Sequence, residues 1–259
     1  MMKGIKFLFV AVLFFLFQNE VYTQYHRIDT FTVNGVSFEM IRVAGGSFER
    51  EYGFGEGETA KKGKQQVTLD DFSIGKYEVT QQLWKAVMGK NPSYFAHSGK
   101  HPVDFVSWND VQRFLDSLNR LTGKNFRLPS EAEWEFAAKG GINQNRFRYS
   151  GSNTIDSVCW YWGNASQRSQ KVGQKWPNHL GIYDMSGNVS EWCQDWFDEK
   201  EFQKAKSVKN PAGPSKGTKK VLRGGSWGVF AQYCRINIRR PEDPNYKTGD
   251  TGFRLVLSD

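Results

Sequence analysis

Apolar and polar residues alternate through Val36-Ser-Phe-Glu-Met-Ile-Arg-Val43, and the run stops at Gly45-Gly46, so the pattern predicts a strand closed by a turn. Gln66 to Val79 reads as two further short strands. The period then changes. Leu83, Trp84, Val87 and Met88 recur at helical spacing behind Thr80, which predicts a helix through Met88 with Thr80 as its N-cap. Ser107 or Asn109 caps a second helix carrying Val111, Phe114, Leu115 and Leu118, and Gly123 stops it. Ser130 with Glu133 three residues on is a capping box, and Trp134, Phe136, Ala137 and Ala138 carry that helix to Gly140-Gly141.

Gly53 to Lys64 is poor in apolar residues and reads as an exposed loop. Beyond Gly141 the helical period fades into a stretch rich in Gly, Asn, Trp and Tyr. Val221-Leu-Arg223 and Gly252 to Leu257 are its clearest strand-like runs. No repeat or long linker divides the chain, so the pattern implies one compact α+β domain with low regular secondary structure. Loops that long need tethers, because ordering them costs ~1–2 kcal/mol per residue.

The N-terminus differs from the rest. Lys3 and Lys6 precede the apolar run Phe7 to Phe17, and polar Gln18, Asn19 and Glu20 follow. This is the layout of a secretory signal peptide, assigned to residues 1–23 with cleavage near Thr23-Gln24. The run falls short of the ~20 residues that a spanning helix needs. An exported chain, periplasmic or secreted, with no membrane span after cleavage is the expectation; an uncleaved anchor is the alternative. Residues 24–35 are assigned as a lead-in and 36–258 as the domain.

Composition narrows the class. The 259 residues are 39% hydrophobic and 15% aromatic, which suits a globular core built from large rings and excludes a disordered or coiled-coil chain. Three Cys in so long a chain exclude a disulfide scaffold. The formal charge of +8 would suit anionic partners. However, the lysines cluster in loop-like stretches, Lys61-Lys62-Gly-Lys64 and Lys216-Gly-Thr-Lys219-Lys220, and no nucleic-acid recognition pattern accompanies them. They read as a solvated surface, with no nucleic-acid partner. His26, His97, His101 and His179 have no metal-ligand spacing.

Six ordered phrases carry a resemblance: Met40 to Phe48, Tyr77-Glu-Val-Thr-Gln81, Arg127-Leu-Pro-Ser-Glu-Ala-Glu-Trp-Glu-Phe-Ala-Ala138, Gly181-Ile-Tyr-Asp-Met-Ser-Gly-Asn-Val-Ser-Glu-Trp192, Arg223-Gly-Gly-Ser-Trp227 and Gly252-Phe-Arg-Leu-Val256. Together they resemble the formylglycine-generating enzyme family, or sulfatase-modifying factor domains, from about Val36 to Leu257. The resemblance implies a variant of the C-type lectin-like fold. It also implies an oxidase that converts a sulfatase Cys to formylglycine with a copper ion held by two thiolates, or a relative that displays a ligand-binding face.

The family's copper pattern places two Cys five residues apart after the Arg-Gly-Gly-Ser phrase, and soft thiolates suit Cu(I). Here Cys234 holds the second position and Val229 the first, and an isopropyl group cannot ligate a metal. Ser190 stands where the oxidases carry Trp. Both departures argue against copper. Cys234 would be the catalytic residue only if oxidase activity survives. Otherwise it is a buried thiol or pairs with Cys159 or Cys193.

Calcium is the other cofactor the resemblance implies, with side-chain oxygens from Asp184 and Glu191 and carbonyls from Gly187 and Val189; a second site near Gly163-Asn164-Ala165 is less well matched. The cleft of the family falls on Ser226, Trp227, Val229, Phe230, Tyr233, Arg235 and Arg239, with Arg223 beside it. Phe230 and Tyr233 could grip a peptide or a glycan, or fill the core where the copper site is missing. Arg254 is expected as a structural hydrogen-bond hub, Ser226 as a turn residue, and Asn164 and Asn188 head glycosylation patterns. Three readings result: a calcium-stabilised module that binds a peptide, a sulfatase or a glycan; a formylglycine-generating oxidase; and a rigid block in an envelope assembly.

Overall fold

The structure, a computed structural model, describes residues 27–52, 63–96, 98–142, 146–201 and 205–258. The signal-peptide segment, most of the Gly53–Lys64 stretch, His26 and His97 lie outside the described residues. Among the described residues, no helix is long and apolar enough to cross a membrane.

Within the assigned lead-in, residues 28–33 form a strand. β1 (Ile28–Val33) pairs antiparallel with β2 (Val36–Val43) in register from Ile28 opposite Ile41 to Val33 opposite Val36. The turn between them is Asn34-Gly35, both at positive φ (48° and 80°). Asn-Gly is the pair that tolerates this conformation best, and its twist matches the flanking strands. β3 (Gly46–Tyr52) follows. β4 (Gly63–Leu69) takes in Gly63 and Lys64, which the sequence placed in a loop, and β5 (Phe72–Gly75) completes the predicted pair.

The three predicted helices form where their caps put them. α1 (Gln81–Met88) is capped by the Thr80 hydroxyl, which accepts from the Leu83 N–H, and ends at left-handed Gly89. α2 (Trp108–Thr122) and α3 (Glu131–Ala138) both begin with complete capping boxes, Ser107 with Asp110 and Ser130 with Glu133. Every residue of α3 is buried, charged ones included, so this helix runs through the centre of the domain.

β6 (Phe126–Arg127) lies between α2 and α3. A short α4 (Ile155–Val158) is the one α-helix beyond Gly141 among the described residues, ahead of β7 (Ser190–Trp196), β8 (Ser207–Lys209), β9 (Lys220–Arg223), β10 (Arg240–Glu242), β11 (Thr251–Gly252) and β12 (Val256–Ser258). The strands form three small sheets, ordered β1-β2-β5-β12-β6, β10-β9-β7-β11 and β3-β4-β8. The run from Gly252 to Leu257, expected as one strand, is split: β11 lies parallel to β7 in one sheet and β12 antiparallel to β5 in another. Arg254 sits at the crossing, fully buried.

Lys220 corrects the surface reading of the lysine runs. It is 3% exposed in β9, with its ammonium 3.7 Å from the Trp196 ring centroid and 4.1 Å from that of Trp108. Burial lowers its pKa to about 8, and it donates to the Gln194 carbonyl at 2.8 Å. Two ring faces and a carbonyl make a desolvated ammonium tolerable there.

Candidate functional site: an aromatic groove beside two buried charge clusters

The Gly224-Gly225 turn, both at positive φ, delivers Ser226 and Trp227 to the end of the domain. Ser226, expected as a turn residue, is buried and donates its hydroxyl to Asp250 Oδ2 at 2.7 Å. Trp227 is held by its own N–H to the Asn188 carbonyl and by Nε1 to the Gly249 carbonyl, both at 2.9 Å. So anchored, its ring forms one wall of a groove of about 470 Å³ whose other walls are Tyr94, Phe95, Phe105 and Trp162, with Asp250 alongside.

These aromatics come from separate loops. Phe95 meets Trp227 edge-on with centroids 5.5 Å apart. Phe105 stands at φ 60°, a rare conformation for a bulky residue, fixed by its N–H to the Thr248 carbonyl. Trp162 donates its backbone N–H to the Val229 carbonyl at 3.0 Å, and its ring meets Phe230 at 6.4 Å. Tyr94 is 70% exposed, Phe230 59%, and Trp162 and Tyr233 50% each, so none of these rings fills the core. Behind Tyr94, burial raises Asp104 to about 7 against the opposing pull of the Tyr94 and Phe95 N–H groups.

Of the nominated cleft residues, Trp227 lines the groove and Phe230 meets its wall through Trp162. Val229 packs instead in a small core cluster, and Arg235 is half-buried with an Nε that has no hydrogen-bond partner. Arg239 and Arg223 belong elsewhere. Arg239 Nη2 binds Glu131 Oε2 at 2.7 Å, and Arg223 spans Glu131 and Glu135 at 2.7 and 3.0 Å. With Arg50 3.2 Å from Glu135, these groups form a buried ion network around α3. Despite burial, the guanidiniums of Arg239, Arg223 and Arg50 hold Glu131 down to about 2, and Lys139 with Arg50 and Arg223 holds Glu135 lower still.

A second cavity of about 500 Å³, bordered by Glu39, Tyr77, Glu78 and Gln82, is lined by none of the nominated residues. Tyr94, Phe95, Phe105, Trp162 and Asp250 were missed. Their signal was a set of aromatics in segments with neither helical nor strand period.

The expected calcium ligands surround Arg254. Glu191 gives each carboxylate oxygen to that guanidinium at 2.6 Å, and its Oε2 also accepts from Trp134 Nε1 at 2.7 Å. Arg254 further binds the carbonyls of Gly75 and Tyr183 at 2.9 Å, the hub the sequence predicted. Asp184, at φ 58°, accepts from the Gly173 N–H with Oδ2 while its buried Oδ1 has no partner.

Glu78, absent from the nominated set, joins them. Its oxygens accept from the Val189 N–H at 3.0 Å and the Asn188 amide at 2.6 Å. Burial raises Glu78 well above the carboxylate range, with Asp184 and Glu191 adding to it, and burial raises Asp184 to about 6. The fit to calcium is mixed. Three buried carboxylates against one guanidinium, with one orphaned oxygen, suit a cation, yet Glu191 is already engaged. Among the described residues, no group of three or more His, Cys, Asp or Glu is arranged as a metal cage. Asn164 is engaged in its own turn, and Asn188 is fully buried, so neither the second calcium site nor glycosylation at Asn188 finds support.

All three Cys are free and buried. Cys159 and Cys234 share one cluster with Val229, and Cys193 lies in another. Copper would find two thiols in Cys159 and Cys234, but both are 0% exposed and neither lines the groove. The residues therefore do not fit a copper site open to substrate.

A family model described as the sulfatase-modifying factor enzyme 1-like domain matches residues 27–259. The chain belongs to this family. Three known proteins are similar to it. The chaperone protein LppX of Paenibacillus barcinonensis is 33% identical over 86% of this chain and 90% of its own. The formylglycine-generating enzyme of Streptomyces coelicolor is 36% identical over 60% of this chain, which spans about half (52%) of that relative. Among solved structures, Treponema denticola variable protein 1 superposes with a TM-score of 0.80 at 33% identity, over 90% of this chain and 99% of that one. Fold and family are thus set, and the groove carries the question of activity.

Proposed function

We propose that this sulfatase-modifying factor enzyme 1-like domain is an exported binding module that takes a peptide or glycan in the aromatic groove and has no copper oxidase activity. The observation that carries this reading is the groove itself. It offers five partly exposed ring walls and one carboxylate, while no thiol lines it. Rings spaced across an open trough hold ligands through flat apolar faces, and Asp250 gives such a ligand a polar anchor.

Titration of intrinsic Trp fluorescence tests the reading, with chitopentaose, maltopentaose and a Cys-x-Pro-x-Arg peptide as probes. The expected result is saturable binding of one probe that weakens at least tenfold in Trp162→Ala, with the melting temperature unchanged. Conversion of the peptide Cys to an aldehyde in the presence of Cu(I) and oxygen would overturn it in favour of the oxidase.

A calcium ion beside Asp184 belongs to the same proposal. It is favoured by the excess of buried carboxylates around Arg254 and by the unpartnered Asp184 Oδ1. Asp184, with the carbonyls of Gly187 and Val189, would hold it, and Glu191 would contribute from its pair with Arg254.

A further inference from the structure

Cys159 follows α4, and Cys234 ends the 3-10 turn Ala231–Cys234. The tertiary structure brings the two together. Both are fully buried in one cluster with Tyr149 and Val158, flanked by Tyr161 and Val229, and Cys234 Sγ lies 3.9 Å from the Ser226 carbonyl. Paired glycine turns set their positions. A Cβ at Gly187 would meet Cys159 Sγ at 2.5 Å, and one at Gly225 would meet Cys234 Sγ at 2.8 Å. The Gly187 N–H donates to the Gly224 carbonyl at 2.9 Å, so the two turns are fastened side by side. Cys193 packs elsewhere, with Ile182, Met185 and Val221.

We propose that Cys159 and Cys234 are joined as a disulfide in the exported protein, cross-linking the segment that carries Trp162, a wall of the aromatic groove, to the one that carries Phe230 beside it. In the reaction each Sγ loses its proton, the pair gives two electrons to a small-molecule or protein disulfide, and that oxidant leaves as two thiols while the Sγ–Sγ bond forms. The surroundings select this product. A thiolate pair, even around a monovalent metal, would leave negative charge in an apolar cluster near Asp184, whereas a disulfide is neutral and apolar.

The same burial dictates when the bond forms. Only a thiolate that the oxidant can reach attacks a disulfide, and both thiols are fully buried once the domain has folded. Oxidation is fast in the folding chain and slow once the cluster has closed. The bond acts on the groove because Trp162 follows Cys159 by three residues and Phe230 precedes Cys234 by four, and those rings touch. Nothing in this depends on what the groove holds.

Peptide mapping decides it. The mature chain is refolded in oxidised and reduced glutathione, alkylated in denaturant without reductant, digested and mapped by mass. The expected map links the Cys159 and Cys234 peptides and carries alkylation at Cys193 alone. The oxidised protein melts roughly 10 °C above its reduced form, since the bond closes a loop of roughly 75 residues. Thiol loss on adding oxidised glutathione to the folded reduced protein is at least tenfold slower than during refolding. Three alkylated thiols after oxidative refolding, or any link through Cys193, would overturn the proposal, and this map needs no variant to fold.

Discussion

Two clusters of buried charge lie in this domain, and burial treats their carboxylates alike while their neighbours do not. Around α3, Glu131 and Glu135 face the guanidiniums of Arg50, Arg223 and Arg239. Around Arg254, the carboxyls of Glu78, Asp184 and Glu191 share one guanidinium. The first pair is held far below the carboxylate range, while Glu78 and Asp184 rise above it. Desolvation raises all of them, so the number of nearby cations decides the sign. The first cluster is a saturated clamp on the central helix. The second lacks positive charge, and it adjoins the Gly187-Asn188 turn that the thiols and Trp227 pack against.

The largest test removes a cation from the saturated cluster. Arg223→Met should cost about 3–5 kcal/mol, because Glu131 and Glu135 would stay buried with fewer partners; urea unfolding measures this. A loss under about 1 kcal/mol would mean the clamp does not hold the helix.

Acid sharpens the same point. Glu131 has a folded pKa of about 2 against 4.5, so its stabilisation is complete above pH 4.5 and lost as pH falls from there through 2. The effect is on the order of 3 kcal/mol. Unfolding at pH 6, 4 and 3 should show that slope in the parent and a flatter one in Glu131→Gln; identical slopes would refute the assignment.

The undersupplied cluster should respond to a cation instead. In millimolar calcium the melting temperature should exceed that in chelator by roughly 5–10 °C, as for a ligand at about 100 times its Kd. Asp184→Asn should abolish the difference. Glu191→Ala is the poorer probe, since it strips Arg254 and Trp134 of their partner whether or not calcium binds. Melting curves that coincide in calcium and chelator would rule the ion out.

Asp195 gives an effect of the opposite sign. Burial and the Glu131 charge raise it to about 7 from 3.8, although the Glu131 N–H donates to it. The folded state keeps this proton longer than the unfolded one, so stability falls as pH rises from about 4 to 7. Asp195→Asn keeps an acceptor for that N–H and should gain on the order of 4 kcal/mol at pH 8, with no gain at pH 4. Equal stability of variant and parent at both pH values would contradict the shift.

What could be read in advance divides along the range of the interactions. Thr80, Ser107 and Ser130 were legible as caps because a cap is made with a residue three positions on. The Asn34-Gly35 hairpin was equally local, but its strand was read as a lead-in. Lys220 misled because its run looks solvated, and the rings that enclose it are Trp108 and Trp196, distant along the chain. Arg239 was placed in the cleft by the family resemblance, whereas the chain carries it to Glu131, 108 positions away.

The ordered phrases determined the family, and local periodicity and capping determined α1, α2, α3 and the strands β2, β4, β5 and β9, because those signals are complete within a few residues. Only the tertiary structure decided which guanidinium meets which carboxylate, that Cys159 approaches Cys234, and that Tyr94, Phe105, Trp162 and Trp227 wall one groove. Each of these depends on segments that meet through loops without a period of their own. Their energies are set by burial and by the count of opposite charges in three dimensions, which a linear pattern does not encode.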